Sequence, residues 1–112
     1  MINFKERVIN QAVELFIGLI LDAKGELKAA SVDFAGVRNI PYGNILISFH
    51  IAKCNKRFGY TYTMPVMEIE LMNPALLPKL IISKARKEIE KIKEQLIKKC
   101  EVDHRMVKIK LL

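Results

Sequence analysis

Two histidines and two cysteines are the residues whose types and spacing come nearest to a metal site: His50-x3-Cys54 and Cys100-x3-His104. A tetrahedral zinc site needs four such ligands within about 2.0–2.3 Å of one ion. On a β-strand, however, His50 and Cys54 stand roughly 13 Å apart, too far to share an ion on a straight strand. Short CxxC-type loops, the usual source of paired thiolates, are absent. The expectation is therefore no metal, a half-buried and hydrogen-bonded His50, and two reduced, inert thiols. Acid–base chemistry would have to draw on Asp33, Glu68 or Glu70. Glu68 and Glu70 alternate with apolar residues as a solvated strand face does. No glycine-rich phosphate loop, no GxGxxG and no HExxH occurs. The sequence thus predicts a non-catalytic protein with no cofactor.

The basic residues are more informative. Lys53, Lys56 and Arg57 crowd one turn region and are interleaved with Phe58 and Tyr60, with no acid among residues 51–60. Cations suit phosphate oxygens, and exposed aromatic faces suit unpaired bases. Lys84, Arg86, Lys87 and Lys91 form a second group, half neutralised by Glu88, Glu90 and Glu94, and Lys108 with Lys110 a third. Lysine-rich turns also serve solubility alone. The reading is a nucleic-acid-binding module using Lys53, Lys56, Arg57 and Phe58, with Arg38 and Lys84 as outlying contacts. The rival is a protein-interaction or self-assembling subunit that meets an acidic protein partner or forms a homodimer. It is motivated by the all-round apolar Leu15–Leu21 run, by an edge-like strand at Pro65 and by a detachable C-terminal strand.

The elements that must position these residues follow from periodicity. From Pro78 to Cys100, Ile82, Ala85, Ile89, Ile92 and Leu96 recur at spacings of three and four, with Leu77, Leu80 and Ile81 widening the stripe. This is a long helix, and Asn73-Pro74 supplies its start signal. Residues 2 to about 14 also read as helix, through Phe4, Val8, Ala12 and Leu15. Residues 15–22 admit two readings: helix continued to about Ala23 and ended by Gly25, or a strand followed by a turn. The longer helix is slightly favoured. Residues 27–34 form a weak strand and residues 36–44 a loop. Ile45 to Cys54 is the clearest strand, with Ile45, Ile47, Phe49 and Ile51 on one face. Residues 55–59 read as a hairpin turn. Tyr60 to about Leu71 is the return strand, with a bulge at Pro65 explaining its change of phase. Val107, Ile109 and Leu111 alternate with Lys108 and Lys110 in a short final strand.

The result is a single α+β domain over residues 1–112. An antiparallel sheet of three to five strands is covered on one face by an N-terminal helix and a long C-terminal helix. This element order resembles the double-stranded-RNA-binding domain, with Ser83-Lys84-Ala85-Arg86-Lys87 standing for that family's basic helix start. Here the run falls inside the helix, and a final strand is added.

A chain of 112 residues can bury a core without staples. A net charge of +7 and an isoelectric point near 9.5 favour an acidic partner. The longest apolar run, Leu15–Leu21, is far short of the ~18–20 residues of a membrane span. No signal-peptide pattern opens the chain. The expectation is a cytoplasmic protein without a membrane role.

Overall fold

A computed structural model describes the backbone of residues 4–111 and the side chains of residues 6–41 and 43–100. The chain is α+β. Helix α1 (Phe4–Asp22) leads through a one-turn helix α2 (Lys24–Leu27) into β1 (Ser31–Asn39), β2 (Ile45–Lys53) and β3 (Lys56–Met64). A short helix α3 (Val66–Leu71) and a 3₁₀ turn at Pro74–Leu76 precede α4 (Leu77–Leu111). The three strands form an antiparallel meander, β1-β2-β3.

The alternation read from β2 decides which face is buried. Ile45, Ile47, Phe49 and Ile51 are at most 9 % exposed, and α1 and α4 cover them. α1 contributes Ala12, Val13, Phe16 and Ile20, and α4 contributes Leu77, Ile81, Ala85, Ile89, Ile92 and Leu96. Each buried Ile, Leu or Phe supplies roughly 1.5–3 kcal/mol, so packing, not surface charge, holds the helices down. Residues 15–22 are helical throughout. In that apolar run Phe16 and Ile20 are fully buried, while Leu15, Ile17, Leu19 and Leu21 are half-buried around them.

Several expectations are corrected. Gly25 does not end α1; it lies inside α2, and the left-handed C-cap is Lys28 at φ 53°. β1 runs on through Asn39, because a bulge between Phe34 and Gly36 breaks its alternation and makes glycine-containing residues resemble a loop. The hairpin turn is Cys54-Asn55, not residues 55–59, so Lys56, Arg57 and Phe58 are strand residues.

β3 stops at Met64. Pro65 is the N-cap of α3, and the buried residues beyond it, Val66 and Ile69, are three apart as a helix requires. Six residues are too few to separate that period from strand alternation. In α4 the buried stripe passes through Ile81 and leaves Ile82 50 % exposed. The short final strand is absent: the backbone is helical to Leu111, since Glu101–Arg105 contains no glycine or proline to stop it. Finally, the thiols are not reduced. Cys54 and Cys100 are joined by a disulfide.

The lengthwise register of α4 is set by a series of tertiary pairs. Lys84 meets Glu68 at 3.2 Å, Glu88 accepts from Tyr60, Lys99 lies over Phe58 and Cys100 bonds Cys54. Ascending α4 therefore means descending from α3 along β3 to the hairpin tip.

The packing gives a direct test. Ile89→Ala should cost about 2–5 kcal/mol in a urea-unfolding measurement, the usual range for a buried large-to-small change. Ile82→Ala, on the solvent side of the same helix, should stay within about 0.5 kcal/mol.

Candidate nucleic-acid interface

Two-residue hairpin turns match the twist of their strands when both central residues have positive φ. Cys54 (57°) and Asn55 (59°) meet that need, and Lys53 pairs with Lys56 directly beneath them. Pleating then divides the basic residues. Lys53, Lys56 and Phe58 share the helix-covered side with Ile51 and Phe49, while Arg57 and Arg38 lie on the opposite, open face.

The structure places the six expected contact residues in different settings. Lys53 donates from Nζ to the Leu27 carbonyl at 2.8 Å and ties the tip to α2. Phe58 is half-buried, with the Lys99 ammonium 4.7 Å from its ring centroid. That ring face is occupied by a cation and is not open to a base. Lys84 is paired with Glu68. Lys56 and Arg57 are exposed at the tip, and Arg38 is exposed on β1, opposite Leu46 and away from the tip. Lys53, Lys56, Arg57 and Phe58 are thus brought together, and Arg38 and Lys84 are not.

The disulfide supplies what the sequence reading missed. It holds the Cα atoms of Cys54 and Cys100 6.0 Å apart across 46 residues of chain. Lys98 and Lys99, which precede Cys100, are therefore brought to the same end of the fold as Lys53, Lys56 and Arg57, with Lys99 over Phe58. Among the described residues neither Arg57 nor Lys98 is held in an ion pair. A signal for this was available: Cys100 lies four residues after Leu96 and continues the buried stripe toward the sheet. What that stripe would meet there was not available.

Other cations of α4 are neutralised locally. Glu26 of α2 receives a two-pronged contact from Arg86, with Nη1 2.8 Å from Oε1, and Lys93 reaches it at 2.5 Å. Glu90 joins both bases at 2.9 and 3.3 Å. The Arg86 hydrogen bond, then that of Lys93, pulls the Glu26 carboxyl down to about 2, and the same neighbours lower Glu90. These contacts absorb Arg86, a member of the basic run that resembles the double-stranded-RNA-binding helix start. Beside them an open cleft of about 440 Å³ is lined by Glu26, Leu27, Lys28, Lys53, Lys93 and Ile97.

On the covered face, Glu88 is buried and accepts from the Tyr60 hydroxyl, with Lys91 3.3 Å away. Burial, and then the Glu88 hydrogen bond, raises the Tyr60 phenol. Tyr62, stacked on Phe16 at 4.4 Å, is pushed up to about 12, chiefly by burial. Both phenols are therefore structural and neutral across ordinary pH.

Among the described residues no group of three or more His, Cys, Asp or Glu can hold a metal ion. Among the same residues no helix is long and apolar enough to cross a membrane. Comparisons with protein-family models, curated proteins and solved structures find no match to this chain.

The Glu26 contacts carry a pH signature. A carboxyl held near 2 in the fold but at 4.5 when unfolded binds fewer protons in the folded state between those values. Its stabilisation is therefore complete above pH 4.5 and is lost as pH falls toward 2. Urea unfolding across this window should show wild type more stable than Glu26→Gln above pH 4.5, with the gap closing toward pH 2. A gap independent of pH would assign the effect to packing.

Proposed function

We propose that this protein is a non-catalytic module that binds nucleic acid through the cationic end where the hairpin tip and α4 are tied together. The observation that carries the reading is the Cys54–Cys100 bridge. It brings two basic runs far apart in sequence, Lys53–Arg57 and Lys98-Lys99, to one end of the fold. With the net charge of +7, such a patch suits a phosphate backbone, whose binding is driven by release of condensed counterions. Because Lys99 occupies the Phe58 ring, the contacts are to phosphates, not to stacked bases. The binding is then tolerant of sequence and steep in salt. Arg38 and Lys84 fall outside this surface.

A second reading, self-association or docking on an acidic protein, is favoured by one observation. Met67 and Leu71 on α3 are 71 % and 83 % exposed, and β1 and β3 are both sheet edges. Its other motives are weaker: Pro65 caps a helix, and no separate C-terminal strand forms. A homodimer through α3 would appear as twice the chain mass in solution.

Cytoplasmic placement belongs to the proposal as well, and it would expose the disulfide to a reducing thiol pool.

The test is binding of the oxidised protein to mixed-sequence DNA and RNA across a salt series. Affinity should fall steeply with salt, and Arg57→Ala with Lys98→Ala should weaken binding to all sequences alike. The double variant should also flatten the log–log salt slope by about 2, near one per lost phosphate contact. Unchanged affinity and slope would overturn the interface. Absence of binding by the wild type at low salt would overturn the nucleic-acid reading and leave the acidic-protein one.

A further inference from the structure

The bridge that builds the cationic end is itself placed to react. Cys54 is exposed at the turn, and Cys100 is half-buried on α4. Disulfides that serve only as staples are enclosed, whereas exposed ones are the labile class. Cys54 also sits at φ 57°, a left-handed conformation that costs little for glycine or asparagine and more for other side chains. Four lysines flank the two sulfurs in sequence (Lys53, Lys56, Lys98 and Lys99). Cations beside a cysteine favour its thiolate and draw anionic reactants toward it.

Opening the bridge does not require unfolding. The fully buried residues of α4 run to Leu96, which is 2 % exposed, and Cys100, the next position of the stripe, is only half-buried. Glu68, Tyr60 and Glu26 grip α4 from other elements at or before Lys93. Beyond Leu96, the described contacts between α4 and the hairpin are the disulfide and the Lys99–Phe58 pair. Cleavage would free residues 97–100 from the tip and leave the core closed.

We propose that Cys54–Cys100 is a thiol-exchange site for a small anionic thiol, and that its opening detaches residues 97–100 of α4 from the hairpin. The incoming thiolate attacks Sγ of Cys54, the more exposed of the two residues. A new sulfur–sulfur bond forms there, while the Cys54–Cys100 bond breaks and its electron pair leaves on Sγ of Cys100, which takes a proton from water. A second thiolate attacks the incoming group's sulfur and frees Cys54. Two small thiols are oxidised to their disulfide, and the protein disulfide is reduced to two thiols. The oxidised small disulfide drives the reverse steps. The consequence for polyanion binding, separation of Lys98 and Lys99 from Lys53–Arg57, rests on the reading in the preceding subsection.

The test uses the oxidised full chain without denaturant, with reduced glutathione as the probe and a neutral thiol as the comparison. Rates are corrected for thiolate concentration, and products are trapped by acid and alkylation. Mass mapping should find glutathione on the peptide carrying Cys54 and later two alkylatable thiols. Glutathione should react several-fold faster at low salt, and the advantage should vanish at high salt. Hydrogen exchange should show protection lost around residues 97–100 and the hairpin tip and retained from Ile81 to Leu96. Thiols that appear only in denaturant, a mixed disulfide on Cys100, equal rates for the two thiols, or loss of protection along the whole stripe would overturn the proposal. The assay contains no nucleic acid and the salt titration no thiol, so the two readings fail separately.

Discussion

The inner face of β2 is the constraint on which the rest of the structure depends. Ile45, Ile47, Phe49 and Ile51 lie at the centre of a sheet only three strands wide, and two helices must close over them. Phe16 answers this from α1, buried between Phe49 and Tyr62, with the Tyr62 ring stacked on it. α4 lays its aliphatic stripe along the same surface. Removing water from this face stabilises the fold far more than any of the exposed ion pairs, whose attraction water screens.

Apolar packing alone would let α4 slide by a turn, since isoleucines and leucines recur along it every three or four residues. Polar contacts remove that freedom. Glu88 is buried and must have a donor, and the hydroxyl of Tyr60 on β3 provides it. Lys84 with Glu68 and Arg86 with Glu26 fix the same register from either side. Cys100 comes opposite the hairpin tip as a result. The disulfide then locks that register at the hairpin tip and holds the cations of both segments at one end.

That surface also shows how a fold redistributes charge that looks uniform in the sequence. α4 carries lysines and arginines along most of its length, but those near its start and middle are largely spent on Glu68, Glu88, Glu26 and Glu90. The cations at the end of the described helix, beside a hairpin segment without acids, keep their field. A cationic end and a locally ion-paired flank then coexist on one helix.

The sequence by itself determined the elements whose signals are long and periodic. β2, the stripe of α4 and the α+β order were legible because burial on one face imposes a two- or roughly 3.6-residue repeat over many positions. The same logic failed on short or interrupted pieces. α3 spans too few residues to separate the periods, and the bulge at Phe34/Gly36 made half of β1 read as loop. For the candidate site, the sequence named Lys53, Lys56 and Arg57, because a cluster in one turn is local information. It could not show that Phe58 lies under Lys99, that Lys84 is consumed by Glu68, or that Cys54 meets Cys100. Those facts depend on how α4 crosses the sheet, and only the tertiary structure decided them, since contacts between residues dozens of positions apart leave no periodic trace in the chain.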